Sequence, residues 1–502
     1  MIQRLSNYVV NIFLITLLTI SLIGAITQAS LMQEVLSSKK NIVYTILVLI
    51  FVLIFIFRKK FNKLIEYLFT SKKRFFLTCI IAFLCLIFYQ LNIIQALTGS
   101  MDLDPAFIYS LIIGKPMRGS SYFSWYPNLL LLLNIENAFY KLLGKPDIYI
   151  YLKSLNYVNM VLIDLGLVFI TLTVKKQLGR GKAFLTLVAS IFLFGITPHI
   201  VIPYSDNWAF FLTSLYIFLL STSYTNKKFN FKPALLFCMG ITSALIYKIK
   251  PSTTISLIAT LLIIVVFMFK NKKEYFNFLF IKKSLKALII FVLPFCLTIS
   301  VCNYYAHNNG LVKIEKGYSA SPLHFMAMGL HGDGGYWQEF NDKDQALPRE
   351  LKKDYEINAI KKDIKDFRSF SNFVTFLIRK QQSNTDLASW QRNSGPISWN
   401  VSPKLKVKNH FQFLLRKVFI QNNYFQWNGV LAFIQLIWIF VIALMTLSWK
   451  NDDFFVQILK YTAIGGFLFL LLFEGDTSRY MIQYLPIMLV LSSYGINELL
   501  SE

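Results

Sequence analysis

Apolar runs long enough for a bilayer recur from one end of the chain to the other, separated by polar stretches rich in lysine and arginine. A helix rising about 1.5 Å per residue needs about 20 apolar residues to cross a hydrocarbon core of about 30 Å. On that measure, spans fall near 8–27, 41–57, 75–97, 153–173, 183–202, 207–223, 233–248, 253–269, 286–305, 428–447, 456–473 and 480–498. The pattern predicts an all-α polytopic membrane protein of about 12 transmembrane helices with a mainly helical extracytoplasmic domain. The first run, from Tyr8 behind Arg4, is about 19 residues long, longer than the apolar core of a signal peptide at about 7–15, and reads as a retained helix.

Lys and Arg collect on cytoplasmic loops, so the short loops orient the spans. The stretch 58–74 carries Arg58, Lys59, Lys60, Lys63, Lys72, Lys73 and Arg74 against Glu66 alone, and is placed inside. Alternation then places Lys175, Lys176, Arg180 and Lys182 inside, with Lys227, Lys228, Lys232 and the run from Lys270 to Lys286. Both termini become cytoplasmic. Residues 1–305 read as a bundle with an outer loop at 98–152, residues 306–427 as an extracytoplasmic domain, and 428–502 as C-terminal membrane helices. Residues 122–140 are apolar enough to cross, but they hold Pro127, Asn128, Asn134, Glu136 and Asn137. A crossing there would turn every later basic loop outward. They are expected to form an amphipathic helix on the outer surface. Within the outer domain, 349–368 reads as a charged helix, and 370–380 and 410–420 as amphipathic ones.

Composition agrees with a membrane protein. The 502 residues are 55% hydrophobic and 15% charged, against about 25% charged in soluble domains. In a soluble chain the net charge of +25 would suggest nucleic acid. Here basic cytoplasmic loops account for it, and no zinc finger, recognition helix or RNA-binding signature is present, so no nucleic-acid partner is expected. Cys79, Cys85, Cys238, Cys296 and Cys302 lie in apolar runs without C-x-x-C spacing, which implies neither a disulfide framework nor a zinc site. No dinucleotide, Walker, G-x-S-x-G or H-E-x-x-H motif occurs, so ATP-driven transport and cytoplasmic nucleotide chemistry have no support.

Several polar groups sit where a membrane protein has little use for them. Asp102 and Asp104, in SMDLDPAFIYS just past the third span, can act as a base or metal ligands, or cap the helix that Pro105 starts. Trp125-Tyr126-Pro127-Asn128 reads as an interface anchor. Lys248 and Lys250 lie on the outer side, where cations are disfavoured; a lipid phosphate would explain them, as would snorkelling. In the loop from Glu474 to Tyr480, Arg479 can hold a phosphate bidentately or pair with an aspartate. Asp206 opens a helix after Tyr204 and Ser205, as a cap would. Asp164 lies inside a span, where it is functional or paired within the bundle. The stretch from His324 to Trp337 is glycine-rich without a following Lys-Ser/Thr. Its His324, His331 and Asp333 match no standard zinc spacing, so it reads as a tight membrane-proximal loop.

In this order, the features resemble the GT-C superfamily of integral-membrane glycosyltransferases. The likeness is greatest to the branch of protein O-mannosyltransferases and the lipid A aminoarabinose transferase. MGLHGDGGYW is similar to a segment of Gram-positive membrane proteins implicated in glycosylating cell-wall polymers. The resemblance implies a cell-membrane enzyme with an extracytoplasmic active site and no cofactor beyond its lipid-linked sugar donor. That donor would be a polyprenyl-phosphate sugar, and the acceptor a cell-wall polymer or other glycan, a glycolipid or a protein. Asp104, or else Asp102, would be the general base of an inverting transfer. Lys248 and Arg479 would neutralise the leaving phosphate, with Lys250, Tyr480, Tyr126, Asp206 and His331 completing the substrate site. The carboxylate pair permits a divalent cation. The pattern has Asp-Glu where this chain has Asp104-Pro105. Two other readings stand beside it. A polysaccharide polymerase or ligase would depend on Arg392 or His324, and a flippase or transporter would show internal repeats, which are absent.

Overall fold

The structure, a computed structural model, describes residues 2–35, 45, 49, 52–53, 55–225, 228–229, 232–270, 278–315, 317–390, 402–403, 406–421, 424–425 and 429–501. Most of the expected span 41–57, and Arg392, lie outside the described residues.

The chain is helical nearly throughout. In order, the helices are α1 (Ile2–Val35), α2 (Arg58–Phe69), α3 (Lys72–Leu97), α4 (Leu103–Ile112), α5 (Ser120–Trp125), α6 (Leu130–Leu142) and α7 (Ile148–Leu178). Then come α8 (Arg180–Ser190), α9 (Ser205–Ser223), α10 (Pro233–Ile249), α11 (Ile255–Lys270) and α12 (Phe278–His307). A cluster of shorter helices follows: α13 (Pro322–Leu330), α14 (Gln338–Ala346), α15 (Arg349–Asp366), α16 (Phe370–Thr385) and α17 (His410–Phe419). The chain closes with α18 (Gly429–Leu447), α19 (Phe454–Leu472) and α20 (Leu485–Ser501). Among the described residues, seven segments are long and apolar enough to cross a membrane: Leu5–Ala29, Lys72–Leu97, Ile148–Leu178, Pro251–Met268, Lys282–His307, Val430–Lys450 and Phe454–Leu472. This supports a polytopic membrane protein. The expected segments at 233–248 and 480–498 are shorter apolar helices.

Polar side chains start the long helices where the sequence changes character. Ser71, Asp147 and Asp453 cap α3, α7 and α19 by accepting from Arg74 N at 3.5 Å, Tyr149 N at 2.9 Å and Phe455 N at 3.0 Å. One end of the bundle gathers basic residues: Lys182 pairs with Glu66 at 2.5 Å and bonds Asn62 at 3.1 Å, and Asn62 in turn bonds Leu500 O at 3.2 Å. The stretches 58–74 and 175–182 and the end of α20 therefore share one end, and the first two are basic, as expected of short loops on one side.

Two expectations change. Much of 122–140 packs into the protein rather than lying on its outside. These residues form α5 and α6, whose Leu130, Leu131, Leu132, Leu133, Glu136 and Asn137 are buried against neighbouring helices. With 13 residues, α6 is far short of a span. Its run of leucines gains more from protein contact than from an interface. The expected span 183–202 is broken: α8 stops at Ser190, a π turn covers Ile191–Gly195, and a short 3₁₀ turn follows at Pro198–Val201. The freed carbonyls find side chains, because unpaired backbone is costly in an apolar setting. Trp390 Nε1 donates to Leu193 O at 2.8 Å, Gln90 Nε2 to Gly195 O at 3.2 Å, and Tyr89 OH to Ile196 O at 3.0 Å.

Trp390 belongs to a segment that joins the shorter helices to the bundle. Helices α13–α15 enclose their own small core of Ala327, Met328, Leu330, Phe340 and Ile360. Beyond them, every residue from Asn384 to Trp390 is buried. Their partners lie on the membrane helices. Gln381 Nε2 donates to Ser21 Oγ at 2.9 Å, Gln28 Nε2 to Asp386 Oδ2 at 3.0 Å, and Trp438 Nε1 to Thr385 O at 2.7 Å. Gln435 accepts from Ala388 N at 2.8 Å and donates to Asp386 O at 2.5 Å. Non-helical backbone is tolerated among apolar helices when protein satisfies it in this way.

Candidate functional site

Asp104 stands in the first turn of α4. Leu103 before it has φ 61°, a left-handed conformation that a branched side chain adopts only when its surroundings enforce it. Both carboxylate oxygens of Asp104 are held by phenols. Tyr122 OH donates to Oδ1, and Tyr204 OH to Oδ2 at 2.5 Å. Burial first, and the Asp104 carboxylate beside them, keep both phenols well above the ordinary tyrosine value, so they remain donors. A carboxylate offers about four lone-pair positions, so Asp104 keeps acceptor capacity for a third hydroxyl.

Tyr204 is also the link to the cations. The Arg479 guanidinium lies over its ring at 5.7 Å and over Tyr480 at 5.2 Å. Arg479 Nε is 3.6 Å from Asp206 Oδ2, and Lys250 Nζ bonds Asp206 Oδ1. Asp206 is 3% exposed and sits in the first turn of α9. Two cations thus share the Asp206 carboxylate, and both also feel the Asp104 carboxylate. Tyr480 OH donates to Glu474 Oε1 at 2.7 Å. Burial raises the Glu474 carboxyl above its ordinary value despite that bond.

On the other flank, the Tyr126 ring meets that of Tyr122 edge-on at 5.1 Å, the i, i+4 neighbour across one helical turn. Tyr126 OH and Trp125 Nε1 both donate to Asn341 Oδ1, at 2.9 and 3.3 Å. A continuous path therefore runs from Asn341 through Tyr126, Tyr122, Asp104, Tyr204 and Arg479 to Asp206 and Lys250.

Of the residues chosen from sequence, Asp104, Tyr126, Asp206, Lys250, Arg479 and Tyr480 come together. Asp102 is exposed at the cap position of α4. Lys248 turns away and donates to Asn303 Oδ1 of α12 at 2.8 Å, so Lys250 is the lysine that meets Arg479 through Asp206. His331 bonds Asp363 at 3.0 Å and stacks on Trp337 with ring centres 3.4 Å apart. Asp164 accepts from Gln90 at 2.9 Å within the bundle.

The glycine-rich stretch acts as a joint. A Cβ at Gly329 would lie 2.4 Å from the Phe473 carbonyl carbon, and Gly475 N donates to Gly334 O at 2.8 Å. Lys380, 1% exposed, donates to Gly329 O at 2.5 Å, Leu471 O at 3.1 Å and Phe473 O at 2.7 Å. It satisfies carbonyls left open at the end of α19 and pins the shorter helices beside Glu474. Burial, followed by the charges of Asp342, Glu474 and Asp104, pushes the phenol of Tyr336 from the same stretch up to about 12.

Sequence reasoning did not assign roles to Tyr122, Tyr204, Tyr336, Lys380 or Glu474. The spacing of Tyr122 from Tyr126 was the one local signal that could have found its partner.

The sequence model of a family described as conserved hypothetical integral membrane protein matches residues 2–499. No curated protein matches the chain.

Proposed function

The chain belongs to that family of integral membrane proteins, and we propose that it is an inverting glycosyltransferase using a polyprenyl-phosphate sugar on the outer side of the cell membrane. The acceptor would be an extracytoplasmic glycan, a cell-wall polymer, a glycolipid or a protein. The observation that carries this reading is the path joining the Asp104 carboxylate to Arg479 and Lys250 through Tyr204 and Asp206.

In this reading Asp104 accepts the acceptor's hydroxyl proton as its oxygen attacks the anomeric carbon. The bond from that carbon to the phosphate oxygen breaks, and the lipid phosphate leaves with the electron pair. Attack opposite the leaving group inverts the carbon. Arg479 and Lys250 neutralise the growing negative charge, with Asp206 holding both until phosphate competes for them. Tyr122 and Tyr204 fix the orientation of the Asp104 carboxylate. Asp102, exposed nearby, is the second choice for the base. His324 is fully buried behind Trp125, with ring centres 5.1 Å apart, which weighs against a polymerase that works through it.

Asp104→Asn keeps size and one acceptor oxygen for the two phenols but removes the proton acceptor. With a polyprenyl-phosphate sugar as donor, the purified variant is expected to lose transfer by at least about a hundredfold while inserting normally. Near-normal turnover in both Asp104→Asn and Asp102→Asn would end the assignment.

A further inference from the structure

We infer that the cluster of shorter helices holds a divalent transition-metal ion between His324, Asp344 and Glu356. Each residue comes from a different helix: His324 from α13, Asp344 from α14 and Glu356 from α15. They are 0%, 0% and 2% exposed. One ligand atom from each lies within 4.8 Å of the others. His324 Nδ1 is 2.7 Å from Asp344 Oδ2. The second Asp344 oxygen is buried with no hydrogen-bond partner among the described residues.

Two carboxylates buried side by side are costly without a cation to share. The neighbouring ammonium feels the charge of both carboxylates but forms a salt bridge with neither. Lys352 Nζ donates to the backbone oxygens of Asp344 and Gln345, and lies over the Trp125 ring at 4.3 Å. A metal ion would compensate both carboxylates and occupy the unpaired oxygen. The surroundings are those of a ligand set held from behind. Ser321 Oγ donates to Glu356 Oε2 at 2.7 Å, and accepts from His324 N at 3.1 Å as the cap of α13. One imidazole with two carboxylates suits Zn²⁺ or Mn²⁺ better than Ca²⁺, which takes about 6–8 oxygens. A core of five buried apolar residues also benefits from a staple, as small units generally do. The ion would fix α14, and with it Asn341, which receives both Trp125 and Tyr126. The inference is independent of the transfer reaction.

The full-length chain, purified in detergent without chelators, is expected to carry about one zinc or manganese per chain by elemental analysis. Chelator treatment should lower the melting temperature, and added Zn²⁺ or Mn²⁺, but not Mg²⁺, should restore it. His324→Ala and Glu356→Gln should each retain less than about a tenth of the metal. Wild-type chelation answers the question even if those variants fold poorly. A wild-type protein without bound metal, with a melting temperature indifferent to chelator and to added Zn²⁺ and Mn²⁺, would overturn the proposal. Full metal retention in both variants would do the same. Neither result depends on activity.

Discussion

Glu474 shows how the chemistry of single residues follows from their surroundings. Its carboxyl is raised by burial, so its stabilising contribution is fully present below the ordinary glutamate value and is lost as pH rises through the raised one. Glu474→Gln keeps an acceptor for Tyr480 and carries no charge to bury. Its melting temperature relative to wild type should therefore climb as pH rises above the ordinary glutamate range; a difference that stays flat with pH would contradict the account. At this scale the charged members of the site were legible, because Asp104, Asp206, Lys250 and Arg479 stand out against apolar surroundings. Tyr122, Tyr204 and Tyr336 were not, since Tyr at a membrane boundary is ordinarily an anchor. Nor could sequence choose between Lys248 and Lys250. Two positions at a helix end face different neighbours, and only the packing of α10 on α12 assigns Lys248 to Asn303.

At the scale of elements, Lys380 ties α13 and α16 to the end of α19. Each charge-assisted hydrogen bond contributes about 1.5–3 kcal/mol, and relief of a buried charge offsets part of their loss. Lys380→Met is expected to cost about 2–4 kcal/mol and to speed proteolysis between α13 and α16. A variant as stable and as protease-resistant as wild type would remove the clamp role. Periodicity located most helices well: 349–368 became α15, Arg349–Asp366, and 410–420 became α17, His410–Phe419. It failed where an element's end is decided by distant partners. Nothing in 183–202 announces that Trp390, Gln90 and Tyr89 will take the carbonyls of its last turns. The leucines of 130–133 likewise cannot tell lipid from protein, and only the fold supplies the protein.

For the whole molecule, the proposed topology places both termini inside. Single cysteines introduced at positions 350 and 65 test it with a membrane-impermeant thiol reagent. Labelling from outside should reach 350 and miss 65, and external labelling at 178 would reverse the second half of the bundle. Polytopic architecture was legible because apolar length is a direct physical requirement of a bilayer. The meeting of residues 104, 204, 250 and 479 was not, because their contacts join distant parts of the chain. The buried stretch from Asn384 to Trp390 has a consequence for how the protein is made. Several of its partners, Gln435, Trp438 and Leu470, follow it in the chain. While the ribosome is still synthesising α18 and α19, those hydrogen bonds have no donors or acceptors to form with. The stretch must wait at the insertion machinery or at the bundle's edge, and the last helices to emerge close the structure around it. Assembly is thus completed from the C-terminal end, and a nascent chain arrested before α18 would hold its shorter helices without the contacts that α18 and α19 supply.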